Sequence, residues 1–240
     1  MAATKEQIKT IQRNMKALGL YLGNIDGLWG PASHGAFLNA RRKAYKLTKP
    51  QCGEDGINEL LFAYCKSLAW SEKVTPEFTA KVSVIAKDLK LGWQGADQLM
   101  SCMAFETGGT FSPKIKNGAG APYYGLIQFG AAAAKDIGTT TDKLIKMTAM
   151  EQLDYVYKFF KPYTGRLSTT SDIYMRILYP VAVAKPEDYV LFSEGSKGKA
   201  YAQNRGLDLN RDGKITKAEA AAKVEQKMVE GLHPRNLKIV

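Results

Sequence analysis

The sequence predicts a mainly α-helical protein: a small three-helix unit, a short linker, and a larger helical domain with little β structure. Three observations predict it. Apolar residues recur at helical spacing along most of the chain, as in Ile8, Ile11, Met15 and Leu18. Turn formers gather in a few places, which divides the chain into residues 1–69, a linker at 70–76, and residues 77–240. The length of 240 residues, with 45% hydrophobic and 24% charged content, suits a small globular domain followed by a medium one.

Composition narrows the classes of partner. The net charge is +11, from 34 basic and 23 acidic residues, which favours polyanions such as nucleic acid, anionic lipid or anionic envelope polymers. The basic residues are spread out except for Arg41-Arg42-Lys43 with Lys46 and Lys49, and no nucleic-acid recognition signature accompanies them. No apolar run approaches the roughly 20 residues that cross a bilayer, so membrane insertion is not expected. The first residues are amphipathic and charged rather than signal-like, and the expectation is accumulation in the cytoplasm. Cys52, Cys65 and Cys102 cannot all pair internally and do not follow zinc spacing, so reduced structural thiols are expected.

The first helix covers about residues 5–18 and stops at Gly19. Tyr21 to Pro31 form a turn-rich connector, with Asp26-Gly27 and Gly30-Pro31 as turn builders. A second helix starts near Ala32 and carries Ala36, Phe37, Ala40 and Tyr45; a third covers about Ile57 to Leu68. Trp29 and Tyr21 fit either a core or a sugar platform, and His34 fits a helix surface. The run Leu18-Gly19-Leu20-Tyr21-Leu22-Gly23, then Ile25-Asp26-Gly27-Leu28-Trp29-Gly30-Pro31, Ser33 and Ala36-Phe37, resembles the peptidoglycan-binding domain of cell-wall hydrolases over roughly Thr4 to Ala69.

After the linker, Thr75-Pro76-Glu77 opens a helix that carries Phe78, Val82, Ile85, Ala86 and Leu89. Trp93-Gln94-Gly95 breaks the pattern, and a second apolar helix runs from Ala96 to a single carboxylate, Glu106, before Thr107-Gly108-Gly109 stops it. Apolar neighbours and the negative end of the helix dipole both favour the protonated carboxyl there. A carboxylic acid that keeps its proton near neutral pH suits general-acid cleavage of a glycosidic bond. A Ser-containing turn, a Gly-rich loop and Gly125-Leu126-Ile127-Gln128-Phe129 follow.

Together these residues resemble the catalytic core of the goose-type lysozyme and soluble lytic transglycosylase superfamily. The resemblance implies a lysozyme-like domain over 77–240, with a small hairpin or flap from Lys114 to Phe129. It implies Glu106 as the catalytic acid and Gln128, Ser112, Tyr124 and Tyr179 as substrate contacts. Tyr179-Pro180-Val181-Ala182 ends an apolar helix where the family carries a Tyr-Asn-Ala-Gly motif, but it departs at the Asn, and a core tyrosine fits as well. Short helices at Ala131–Ile137 and Thr141–Met147, and a longer one at Met150–Phe160, complete the expectation.

Asp208 to Glu219 fit the twelve-residue EF-hand loop at every position. Asp208, Asn210 and Asp212 supply oxygens at positions 1, 3 and 5, Gly213 makes the sharp turn, Lys214 offers its carbonyl, Thr216 stands at 9, and Glu219 stands at the bidentate twelfth position. One such loop is present, so a single structural calcium ion is expected, with no cofactor needed for the chemistry.

The whole resembles a modular phage endolysin. That implies cleavage of the β-1,4 bond between N-acetylmuramic acid and N-acetylglucosamine, holin-dependent release to the wall, no nucleic-acid partner and a monomer. No Asp or Glu lies between Glu106 and Gln128, which favours transglycosylase chemistry over two-carboxylate hydrolysis unless Asp136, Asp142, Glu151 or Asp154 folds back into the cleft. The other readings are a hydrolytic muramidase of the same fold, a wall-degrading enzyme of the virion, a non-catalytic wall-binding protein, and a basic calcium- or nucleic-acid-binding protein. The last leaves the first seventy residues and the Gly-Leu-Ile-Gln-Phe run without a role.

Overall fold

The computed structural model describes residues 3–51, 53, 56–118, 120–196 and 198–239, and the expectation for Cys52 lies outside them. The protein is mainly helical, with one two-stranded sheet among the described residues. It divides into two compact units, residues 1–79 with 229–240, and residues 80–228. The last twelve residues therefore belong with the first unit, whereas the sequence division puts them in the second.

In the first unit, α1 (Lys5–Ala17) begins with a capping box between Thr4 and Gln7 and buries Ile8, Ile11 and Met15. Gln12, on the same buried face, was not singled out by periodicity. Its Nε2 donates to the Leu28 carbonyl at 2.8 Å and its Oε1 accepts from the Gly27 N–H at 2.9 Å. Asp26 Oδ1 accepts from the Leu28 N–H at 2.9 Å, so a short Asx turn and one buried amide hold the connector's shape. Gly27 takes φ +74°, and a Cβ there would strike Lys5, which fixes glycine at this turn.

Helix α2 (Pro31–Tyr45) starts with proline at its first position and buries Ala36, Phe37, Ala40 and Ala44. Tyr45, expected on that face, is exposed. Arg41 leaves the basic cluster altogether: it is buried, and its guanidinium donates to the Ser67 carbonyl at 2.6 Å, past the end of α3 (Glu59–Lys66). Tyr21 is buried and Trp29 packs edge-on against Phe37 at 5.4 Å, which favours the core reading of both. His34 is half-buried rather than on the surface.

The expected linker is packed. Trp70 is buried in a left-handed conformation and its N–H donates to the Gly231 carbonyl, while Ser67 and Ser71 bond the backbone of Lys238. Tryptophan burial and three backbone ties make these residues part of the first unit's core.

The division into units falls within two helices, α4 (Pro76–Asp88) and, near the chain's end, Lys217–Gly231. In the second unit, α5 (Gly95–Glu106) is buried along nearly its whole length. Short helices α6 (Ala131–Asp136) and α7 (Thr141–Leu144) lead to α8 (Ala149–Phe160), which a Thr148–Glu151 capping box opens. Helix α9 (Thr170–Leu178) packs on α5. Strand β1 (Val190–Ser193), helix α10 (Gly198–Asn204), strand β2 (Lys214–Thr216) and helix α11 (Lys217–Gly231) complete it. The two strands run antiparallel, with Phe192 opposite Ile215 and an irregularity between Val190 and Phe192. This pair was not foreseen; where a hairpin or flap is expected at 114–129, the chain forms a loop with isolated antiparallel bridges at Lys116–Tyr124 and Tyr124–Phe129. No described helix is long and apolar enough to cross a membrane.

Candidate functional site

Glu106 ends α5, and the chain stops there for identifiable reasons. Thr107 is buried and turns its hydroxyl back to the Met103 carbonyl at 2.7 Å, then accepts the Phe111 N–H at 3.0 Å. Gly108 and Gly109 follow with φ +62° and +81°, and the Gly109 N–H reaches back to the Ala104 carbonyl at 2.7 Å.

The Glu106 side chain is half-buried and has no hydrogen-bond or ion-pair partner among the described residues. Burial pushes its carboxyl up to about 7. Two neighbours register its charge. The Cys102 thiol, one turn earlier, is raised by burial and by Glu106. The Tyr174 hydroxyl on α9 is raised for the same two reasons, and its ring packs edge-on to Phe105 at 5.5 Å. Tyr174 thus lies within electrostatic reach of the acid. Tyr179 caps the end of α9, leaves helical geometry, and packs against Phe192 at 5.4 Å. The sequence offered Tyr179 by its place after the helix; Tyr174 was legible only through the helical face shared by Thr170, Ile173 and Tyr174.

The loop that carries the other expected residues is fastened from behind by a fully buried residue, Gln152 of α8, which was not foreseen. Its Oε1 accepts the Leu126 N–H at 3.0 Å, and its Nε2 donates to the carbonyls of Pro113 at 2.7 Å and Leu144 at 2.8 Å. This contact explains Gly125, which has φ +78° and whose added Cβ would collide with the Gln152 amide. Gln128 adopts φ +52°, an uncommon conformation for a side-chain-bearing residue. Its Nε2 points to the Ile115 and Gly125 carbonyls, leaving Oε1 buried without a partner among the described residues.

Gln128 also lines a cavity of about 440 Å³ with Tyr123, Ile127, Phe129, Phe159 and Ile177; Glu106 is not among its walls. Tyr124 exchanges backbone hydrogen bonds with Phe129 and shapes the loop. Ser112 builds the turn after Glu106, its Oγ accepting the Lys114 N–H at 3.3 Å.

Two of the four alternative carboxylates have bonded partners. Glu151 caps α8 on Thr148, Asp154 pairs with Lys81 at 2.8 Å, Asp136 lies in the field of Arg176, and Asp142 stands in the first turn of α7.

The loop at 208–219 is folded in on itself. Asp208 Oδ2 accepts from the Tyr201 hydroxyl at 2.6 Å and from the Gly213 N–H at 3.1 Å. Asn210 Oδ1 accepts from the Asp212 N–H and Asp212 Oδ1 from the Lys214 N–H, each at 2.9 Å. Glu219 returns across the loop, with Oε1 on the Leu209 N–H at 3.2 Å and Oε2 on the Thr216 hydroxyl at 2.8 Å. Gly213 makes its turn at φ +81°. Among the described residues no three His, Cys, Asp or Glu side chains gather as a group able to hold a metal. An EF-hand set draws also on an amide, a hydroxyl and a carbonyl, here Asn210, Thr216 and Lys214. Asp208 fits a cation in one further respect: it is buried, and its Oδ1 has no partner among the described residues.

Compared with family models and with curated proteins, the chain matches none.

Proposed function

We propose that the protein cleaves peptidoglycan glycan strands at the β-1,4 bond after N-acetylmuramic acid, as a lytic transglycosylase of the modular endolysin type. The observation that carries this reading is Glu106: a carboxyl without partners, at the end of a buried helix, held up to about 7 by burial. Such a group keeps a proton to give near neutral pH and is basic enough afterwards to take one back.

In the reaction proposed, Glu106 gives its proton to the glycosidic oxygen as the bond to C1 of the muramic residue breaks. It then removes the proton from that sugar's own 6-hydroxyl, whose oxygen bonds to C1 and closes a 1,6-anhydro ring. One carboxyl serves both steps. Two of the four carboxylates that could supply a second are already engaged, Glu151 in a helix cap and Asp154 with a lysine, which supports this chemistry over hydrolysis. Gln128, with a buried unpartnered acceptor, is suited to receive an N–H from a substrate N-acetyl group. The first unit, residues 1–79 with 229–240, serves as the wall-binding part, and the loop at 208–219 holds one structural calcium ion.

Mass spectrometry of the muropeptides released from purified sacculi tests the proposal. The expected products carry 1,6-anhydromuramic ends. Reducing ends containing oxygen from labelled water would show hydrolysis instead, and intact sacculi would remove the enzymatic reading.

A further inference from the structure

The loop at 208–219 does more in this fold than close a turn, because it grips both ends of one helix. Its tenth residue, Lys217, is only 1% exposed. Its Nζ donates to Asp172 Oδ1 at 2.7 Å and to the Lys185 carbonyl at 2.7 Å, with Glu187 at 3.7 Å. Asp172 stands in the first turn of α9, and the same Oδ1 also accepts the Ala184 N–H at 2.8 Å. A buried ammonium with a buried carboxylate partner has few alternatives, since separating the two strands a charge away from water.

The loop's seventh to ninth residues are strand β2, paired to β1. Through that pairing Phe192 lies against Tyr179, which caps the other end of α9. Between these two attachments α9 carries Tyr174, whose ring packs on Phe105 beside Glu106.

We propose that the cation loop is a positioning device for the acid. An ion bound by Asp208, Asn210, Asp212, Thr216, Glu219 and the Lys214 carbonyl would fix β2 and Lys217, and these hold α9 and Tyr174 against Phe105 and Glu106. Lys217 and Phe192 are positioning residues; neither touches substrate. The inference rests on the calcium and acid readings above, and extends the ion's role from a structural one to setting the surroundings of Glu106. Coupling of this kind is reciprocal and typically changes the linked equilibrium by 5–150-fold.

The experiment uses the full chain, stripped with chelator and titrated with calcium chloride by calorimetry, alongside hydrogen–deuterium exchange with and without the ion. Calcium is expected to slow exchange in peptides over 205–219 and also, at least fivefold, over 170–179 and 99–109. Lys217→Met should still bind calcium, because its side chain is not a ligand, but with affinity weakened by that same coupling factor, and should lose the distant protection. Lys217→Arg should restore it, which a merely space-filling role for Lys217 would not require. Phe192→Ala gives a second route should Lys217→Met fail to fold, and should weaken protection over 175–179 while calcium still binds, more weakly than to wild type.

Absence of calcium heat overturns the proposal together with the calcium reading, while the acid reading still stands or falls on the muropeptide products. Calcium heat with protection confined to 205–231 overturns the positioning role alone. Distant protection that survives in both Lys217→Met and Phe192→Ala overturns it as well.

Discussion

The second unit keeps its carboxylates in two opposite ways. Glu106 is offered nothing: no donor and no cation among the described residues, only burial, which raises it to about 7. Asp208 is buried but receives the Tyr201 hydroxyl, then meets the cost of burial, then gains backbone N–H groups, and the balance lowers it. The same functional group is thus prepared to hold a proton in one region and a negative charge in the other. A general acid needs the first state and a cation site needs the second. Environment, rather than residue type, divides the two roles.

Removing the proton carrier is the strongest way to break this contrast. Glu106→Gln keeps the shape and loses the transferable proton, so lysis of sacculi should fall by at least about 100-fold. Retention of more than a few per cent of the rate in a folded protein would take Glu106 out of the acid role. The same variant should be more stable than wild type at alkaline pH, and the sign is fixed by linkage. The folded carboxyl titrates at about 7 and the unfolded one near 4.5, so the unfolded state ionises first as pH rises. Wild type then loses stability between those values, while the amide does not. A gap of about 1–3 kcal/mol should open from pH 4.5 and level off above 7, measurable by urea unfolding. Activity of the wild type should decline as pH rises through 7, as the acid loses its proton. A pH-independent gap would mean that Glu106 is not held up by burial.

The charged region is tested by supplying and withdrawing calcium. Saturation at about 100 times the dissociation constant adds roughly 2.7 kcal/mol to the folded state. For a chain of this size that is a rise of about 5–10 °C in melting temperature. Asp208→Asn keeps the bonds from Tyr201 and Gly213 possible but removes the charge, and should abolish most of that rise. Identical scans in chelator and in calcium would show that the orphaned Asp208 oxygen has another explanation.

What the sequence made legible follows the range over which each force acts. Helix stops, the Glu106–Gly108–Gly109 terminus and the order of loop ligands at 208–219 depend on neighbours a few residues away, so spacing reveals them. Gln12, Arg41 and Gln152 are buried polar residues that each have a partner 15–39 positions off, and no local pattern marks them. Trp70 was assigned to a linker because the residues around it resemble one; its partner, Gly231, is far along the chain. Strand β1 went unseen because four residues carry too little alternation to declare a strand, and its pairing partner is the loop itself. Tyr174 was hidden behind Tyr179 for a related reason: motif position pointed past the helix, while the side chain within electrostatic reach of the acid lies inside it.

The smallest effect expected concerns the second orphaned oxygen. Gln128 Oε1, like Asp208 Oδ1, is a buried acceptor without a partner, but it carries no charge. Its loss should therefore weaken substrate positioning without altering any titration. Gln128→Ala should slow lysis by roughly three- to tenfold and leave the pH limb near 7 where it is. The backbone separates this role from a merely structural one. At φ +52° alanine is strained and glycine is not, so Gln128→Gly should be more stable than Gln128→Ala by about 1 kcal/mol. Both variants lack the amide, so their rates on sacculi should fall equally despite that difference. If the glycine variant recovers the wild-type rate, Gln128 acts by holding the loop, and the unpartnered oxygen has no part in holding the glycan.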